Sequence, residues 1–421
     1  MRNITGPPVE NDDFFDRSED LVGFIREFVN QSSVLLVAPR RVGKSSLALE
    51  LSRILRPLTL SPEMEARLES ANLLTATKAT AWLPVYFSAE GCSDDVDFAD
   101  RLVRSLKDGG LRADGLQQLE SLIQRVRSGL GIRRVDGGLN MELSDAAEVQ
   151  GTSLGREIES LFRRIEAQSD DSVVIIIVDE LPELLLTLSR DSGGDHRAEQ
   201  FLHWLRRMRQ TYRKRIRWMF LGSIGLDTFT DQRGIRKTIN DLVTRSVGAY
   251  SPEVADRFLE KLGRSNHLLL TPEVRKEILA KVGWPLPYHL QLIFHALVQL
   301  NLSAEVTAAD VQKALEELLQ PGGYGYFDTW RQRLKEQFSQ ADANAARIIL
   351  KLLCQHPQGL GRQRLFDELM SQTQADPGET EERLSDLLMI LCRDGYLMTN
   401  VDRYTFRSFL LREYWYRREV R

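Results

Sequence analysis

Residues 38–46 read Ala38-Pro-Arg-Arg-Val-Gly-Lys-Ser-Ser46, and the fold turns on how this stretch is read. Gly43, Lys44 and Ser45 match the end of a Gly-x-x-x-x-Gly-Lys-[Ser/Thr] phosphate loop, with Ala38 where the first glycine is usual. A negative φ at Ala38 makes that departure tolerable, because the anion contacts come mainly from the later backbone N–H groups. Those groups form a nest at a helix N-terminus, where the helix dipole favours negative charge. Working outward, residues 33–37, with Val34-Leu-Leu-Val37, are a short buried strand before the loop, and Ser46-Leu-Ala-Leu-Glu-Leu51 lies in a helix of residues 45–56 after it. A chance Gly-Lys-Ser lacks this strand-loop-helix context. On this pattern Lys44 reaches the β- and γ-phosphates of ATP and the Ser45 hydroxyl ligates Mg2+. Pro39, Arg40, Arg41, Val42, Gly43 and Ser46 complete the cofactor cradle.

A second buried run, Val173-Val-Ile-Ile-Ile-Val-Asp-Glu180, ends in two carboxylates. Asp179 is expected to hold Mg2+ opposite Ser45, and Glu180 to orient or deprotonate the attacking water. A third strand, Arg217-Trp-Met-Phe-Leu-Gly-Ser223, places Ser223 where a polar side chain senses the γ-phosphate. Arg233, Arg236 and Arg245 downstream are candidates for an arginine finger, although a solvated face is the simpler reading of each. His196, His203, His289 and His295 have no metal-ligand spacing.

Strands alternate with helices up to residue 250, the pattern of an α/β fold with a parallel, doubly wound sheet. In such sheets the ligand lies beyond the carboxyl ends of the strands, where both motifs fall. Residues 18–30 form an amphipathic helix, with Leu21, Phe24, Ile25 and Phe28 on one face. Residues 82–89 form a strand whose Pro84 places it at a sheet edge or marks its start. Within a helical insertion at about 97–150, residues 130–143 read as a hairpin around Asp136-Gly-Gly. From residue 251 the strands give way to helices, and Gln320-Pro-Gly-Gly-Tyr-Gly is the clearest linker. Beyond it come three amphipathic helices, at 344–355, 361–372 and 380–393. A small wing follows, Tyr396-Leu-Met-Thr and Arg403-Tyr-Thr-Phe around Asn-Val-Asp.

Composition narrows the function classes. With 42% hydrophobic and 28% charged residues the chain is balanced as a globular protein is. No apolar run reaches the roughly 18 residues needed to cross a bilayer. Met-Arg-Asn-Ile-Thr-Gly-Pro-Pro has no apolar h-region, so no secretory signal is expected. Cys92, Cys354 and Cys392 are scattered and odd in number, the thiols of a reducing cytoplasm. A net charge of −4 gives no global basic field for nucleic acid.

With these segments in place, the chain resembles the archaeal-ATPase-like branch of the STAND P-loop NTPases, relatives of the AAA+ initiator ATPases. Phe14-Phe-Asp-Arg-Ser-Glu19 is similar to the family's Phe-x-Gly-Arg-Glu segment, with Asp16 where glycine is usual. Residues 38–46 are close to its Pro-Arg-Arg-x-Gly-Lys-[Ser/Thr]-Ser loop. Val178-Asp-Glu-Leu-Pro182 resembles its Walker B strand, and Gly222-Ser-Ile224 its sensor strand. Gly283-Trp-Pro285, followed by Tyr288-His-Leu-Gln-Leu292, is similar to the Gly-x-Pro segment of its helical lid, so the resemblance assigns Pro285 to nucleotide contact.

The resemblance implies an αβα P-loop domain over 1–250, a helical lid over 251–320, and a linker with a winged-helix domain over 321–421. It also implies ATP and Mg2+ as cofactors, slow hydrolysis, and a homo-oligomer or protein partner. The expected function is a nucleotide switch in which ATP and ADP set the state of lid and winged helix. The alternative is a DNA-acting ATPase of the initiator or transposition-regulator kind, and a third possibility keeps ATP as a structural ligand. From residue 341 onward the chain has twelve Lys/Arg and twelve Asp/Glu. Its third helix begins Gly378-Glu-Thr-Glu-Glu-Arg, which would set acidic groups against DNA phosphates. A protein-facing role for the winged helix is therefore preferred.

Overall fold

The computed structural model describes residues 1–111, 115–132, 142–190, 194–222, 225–302, 305–373 and 376–420. The chain divides into two compact units. One, the sheet unit, comprises Arg17–Val37 and Lys44–Ser246; the other, the helical unit, comprises Met1–Asp16, Ala38–Gly43 and Val247–Arg421.

In the sheet unit the order is α1 (Ser18–Val29), β1 (Val34–Val37), α2 (Lys44–Leu55), α3 (Pro62–Ser70), α4 (Leu74–Ala79) and β2 (Ala81–Ser88). Then follow α5 (Asp95–Asp108), α6 (Leu116–Ile132), α7 (Glu142–Glu166) and β3 (Ser172–Asp179). The unit continues with α8 (Leu181–Ser189), α9 (Gly194–Thr211), β4 (Ile216–Phe220), α10 (Leu226–Gln232) and β5 (Val243–Ser246). The five strands form one parallel sheet in the order β2-β3-β4-β1-β5. Val174 to Val178 of β3 are completely buried, which explains the unbroken apolar run: a strand covered on both faces has no side that must be polar. Pro84 lies in β2, an edge strand, as its missing N–H requires. Trp218 of β4 is fully buried between Phe162 of α7 and Phe220. Because β4 lies between β1 and β3, its carboxyl end emerges beside that of the acidic strand.

One sequence expectation changes here. The hairpin at 130–143 is replaced at both ends by helix. Its first three residues continue α6, its last two begin α7, and 133–141 lie outside the described residues. Leu116, Leu119, Ile123 and Val126 of α6 are all buried on one face with helical period. β5 carries no apolar run to mark it in the sequence, since its side chains alternate between half-buried and exposed.

The helical unit begins with α11 (Pro252–Ser265), α12 (Pro272–Val282), α13 (Pro287–Gln299), α14 (Ala308–Leu318) and α15 (Gly325–Gln337). Ser251, Thr271 and Thr307 cap α11, α12 and α14 with side-chain oxygens, and proline occupies the first turn of α11, α12 and α13. The stretch expected as a linker makes a 3-10 turn at Pro321–Gly323 and then enters α15. Phe327, Trp330 and Leu334 account for that helix, since they are buried at a spacing of three and four residues. Next come α16 (Gln340–Cys354), β6 (Leu360–Gly361), α17 (Arg362–Gln372), α18 (Pro377–Arg393), β7 (Leu397–Asn400), β8 (Arg403–Phe406) and α19 (Phe409–Glu419). The last three strands form an antiparallel sheet in the order β6-β8-β7. The N-terminal arm belongs to this unit: the Ile4 N–H donates to Gln291 Oε1 at 3.1 Å, and Arg2 pairs with the buried Asp13 at 2.7 Å. No described helix is long and apolar enough to cross a membrane.

Candidate functional site

In the sheet unit, α2 begins at Lys44, so Lys44 and Ser45 lie on its first turn, where the backbone N–H groups have no helical acceptor. Lys44 is buried at 7% exposure. Strand β3 ends on Asp179, buried at 3% exposure, and the Ser45 hydroxyl donates to Asp179 Oδ2 across 2.5 Å. The structure thus brings together, from positions 134 residues apart, the two groups expected to share a metal. Glu180 follows in the left-handed region, φ 53 and ψ 34, and its N–H donates to Asp179 Oδ1 at 2.9 Å. A non-glycine residue rarely adopts this conformation, and here it occurs at the residue expected to act on water.

The end of β4 reaches the same place. A Cβ added at Gly222 would sit 2.7 Å from Pro182 Cδ and 3.4 Å from Glu180 Oε2, so glycine is required for this approach. Ser223, the expected γ-phosphate sensor, lies outside the described residues. Of the arginine-finger candidates, Arg233 stacks 4.0 Å over the Phe229 ring, Arg236 pairs with Asp231 at 2.9 Å, and Arg245 pairs with Glu27 at 3.6 Å.

One residue that the sequence did not single out joins the group. Tyr86 of β2 donates its hydroxyl to Asp179 Oδ2 at 2.9 Å. Burial, then the Asp179 charge, pushes its phenol well above the ordinary tyrosine range, so it remains a neutral donor at physiological pH. The available signal was Pro84-Val-Tyr-Phe87, where a tyrosine hydroxyl interrupts an apolar run.

Ser45 and Asp179 offer hard oxygen donors, the chemistry that suits Mg2+. Among the described residues no group of three His, Cys, Asp or Glu is placed to hold a metal ion by itself. An ion here would complete its shell with water and phosphate oxygens, as Mg2+ commonly does. The donor set fits the implied metal.

In the helical unit, residues 38–43 have a distinctive backbone. Arg41 has φ 64 and Gly43 φ 93, while Arg40 and Val42 keep negative φ, so the sign alternates along four residues. Such alternation turns successive N–H groups into one concavity, the nest that binds anions. The Arg41 guanidinium lies 4.3 Å over the Tyr288 ring of α13, and Arg40 donates to the Thr329 carbonyl of α15 at 3.3 Å. Pro285, between α12 and α13, accepts from the Tyr250 N–H at 3.1 Å. Completely buried, His289 follows Tyr288, with Nδ1 3.4 Å from Ser408 Oγ, and burial pushes its pKa down to about 4.

No protein-family model matches the chain, and no curated protein matches it in sequence. Solved structures do. The Walker-type ATPase PABY2304 of Pyrococcus abyssi superposes with a TM-score of 0.59 at 14% identity, covering 99% of both chains. The ORC2 protein of Aeropyrum pernix, in its ADPNP–ADP complexes, superposes at 0.52 with 12% identity over 96% of this chain and 95% of its own. At these identities the likeness concerns the fold. Sheet order, phosphate loop and whole-length superposition agree, and the fold of this chain is that of a Walker-type P-loop ATPase.

Proposed function

We propose that this protein binds Mg·ATP, hydrolyses it slowly, and acts as a STAND- or AAA+-like switch whose nucleotide state is read by the helices and winged helix of residues 251–421. The observation that carries the reading is the Ser45–Asp179 hydrogen bond of 2.5 Å, with Glu180 held in a left-handed conformation next to it. Lys44 binds the β- and γ-phosphates, and Asp179 and Ser45 hold the metal. When bound, Mg2+ neutralises charge on the phosphate oxygens. Glu180 orients water and accepts its proton, and Ser223 senses the γ-phosphate. Cytoplasmic localisation fits the free thiols.

Phosphate release and nucleotide binding by wild type, Lys44→Ala and Glu180→Gln test this. Lys44→Ala should lose ATP binding. Glu180→Gln should keep binding but lose about a hundredfold or more in turnover, the usual range for a removed general base. If wild type bound no nucleotide in the presence of Mg2+, the proposal would be wrong. Hydrolysis that survives unchanged in Glu180→Gln would remove Glu180 from its role.

A DNA-acting ATPase is the alternative. Against phosphate contact by α18, Glu379, Glu382 and Asp386 are exposed on that helix. Salt-sensitive binding of duplex DNA in a low-salt gel shift, with ATP or without, would favour the alternative.

A further inference from the structure

Arg40 and Arg41 lie inside a phosphate loop, where an arginine is readily taken for a phosphate ligand. Their side chains are engaged elsewhere. Arg41 stacks on Tyr288, whose hydroxyl donates to the Tyr326 carbonyl at 3.3 Å, and Arg40 donates to the Thr329 carbonyl at 3.3 Å. Both acceptors lie on the first turns of α15, and the Trp330 carbonyl beside them accepts from the Tyr396 hydroxyl at 2.6 Å. On the loop's other flank, a Cβ added at Gly395 would come within 3.0 Å of Pro39 Cβ and 2.6 Å of the Trp284 ring.

Left-handed backbone at a non-glycine residue persists only where the surroundings over-determine it. For Arg41 the contact is with α13, while its neighbours Arg40 and Pro39 meet α15 and the turn before β7. We infer that Arg40 and Arg41 are positioning residues that couple the phosphate loop to the C-terminal helices, with Tyr288 the anchor that holds Arg41 left-handed and so shapes the anion nest. This rests on the proposed nucleotide reading and supplies its route of communication. An anion in the nest and the Tyr288 anchor then favour one another, by the reciprocity that any coupling between two sites obeys.

The test is a double-mutant cycle on Arg41→Gln and Tyr288→Leu, with Tyr288→Phe and Arg41→Lys as conservative variants. The first readout needs no nucleotide: hydrogen exchange at the amides of residues 40–43. Each disruptive variant should speed exchange by about fivefold or more, and the double variant should go no further than the singles. Tyr288→Phe keeps the ring and should behave as wild type, and Arg41→Lys should lie close to it. The second readout is affinity for a fluorescent ATP analogue with Mg2+, which should weaken by about fivefold or more in both single variants, again without additivity.

Unchanged exchange in Arg41→Gln and Tyr288→Leu would overturn the inference, and so would additive effects in the double variant. If Tyr288→Leu does not fold, Arg41→Gln against Arg41→Lys decides: equal exchange in the two sinks the idea. Wild type that binds no nucleotide refutes the proposed function, while the exchange data still decide the anchor. Wild-type binding with unaltered loop exchange in the variants refutes the anchor alone.

Discussion

Asp179 Oδ2 accepts from both Ser45 and Tyr86, so this buried carboxylate is held by donors from a helix and from the neighbouring strand. A divalent ion would take over the interaction with Ser45, leaving Tyr86 to orient the carboxylate. Partners of this kind typically contribute ten- to a hundredfold to metal affinity. Tyr86→Phe is therefore expected to raise the Mg2+ concentration giving half-maximal hydrolysis by about tenfold. It should also lower unfolding free energy by about 1–3 kcal/mol, because a buried charged acceptor loses a donor. A Mg2+ titration and urea unfolding check the two effects. Lys44, Ser45, Asp179 and Glu180 stand out in the sequence as candidates because a run of chain marks each: loop into helix, apolar strand into carboxylates. Tyr86 does not, since its partner lies 93 residues away and only sheet register brings Ser88 beside Asp179.

Two of the helical unit's elements carry predictions of their own. The turn into β7 depends on Gly395, with φ 89 and the Trp284 ring where a Cβ would go. Gly395→Ala must both strain the backbone and displace the indole, and is expected to cost about 2 kcal/mol or more in urea unfolding. In α13, His289 has its pKa depressed to about 4 by burial, whereas in the unfolded chain it titrates near 6.5. Its contribution is complete above pH 6.5, where both states are neutral. It falls as pH drops towards 4, because only the unfolded state gains the proton, reaching a loss of about 3 kcal/mol. Unfolding of wild type between pH 7 and pH 4 should decline more steeply than that of His289→Gln; parallel curves would contradict the assignment. Helix α16, with its apolar stripe, stands out in the sequence as the first of three amphipathic helices. Pro and Gly dominate residues 320–325 and give them the composition of a linker, while the buried stripe of Phe327, Trp330 and Leu334 begins only after them.

For the whole molecule, the proposed switch predicts that ADP and a slowly hydrolysed ATP analogue give different states. Hydrogen exchange over residues 251–420 should differ between the two nucleotides, and mass photometry should show a nucleotide-dependent shift in assembly. Identical exchange and mass with both nucleotides would remove the switch, though not ATP binding. The balance of twelve basic and twelve acidic residues beyond residue 340 and the exposed acids of α18 lead to one more expectation: no salt-sensitive DNA binding at low ionic strength.

The sequence by itself determined the fold class, the phosphate loop and the acidic strand, because hydrophobic period and motif spacing act over a few neighbouring residues. Tertiary structure decided what those segments touch. It added Tyr86 to Asp179 and engaged Arg40 and Arg41 with Thr329 and Tyr288, partners nearly 250 residues or more away along the chain. It also replaced a hairpin-like stretch with helix at both described ends. The physical reason is the same in each case: packing of distant segments is a global property of the folded chain, and no local pattern encodes which side chain will meet which carbonyl or ring.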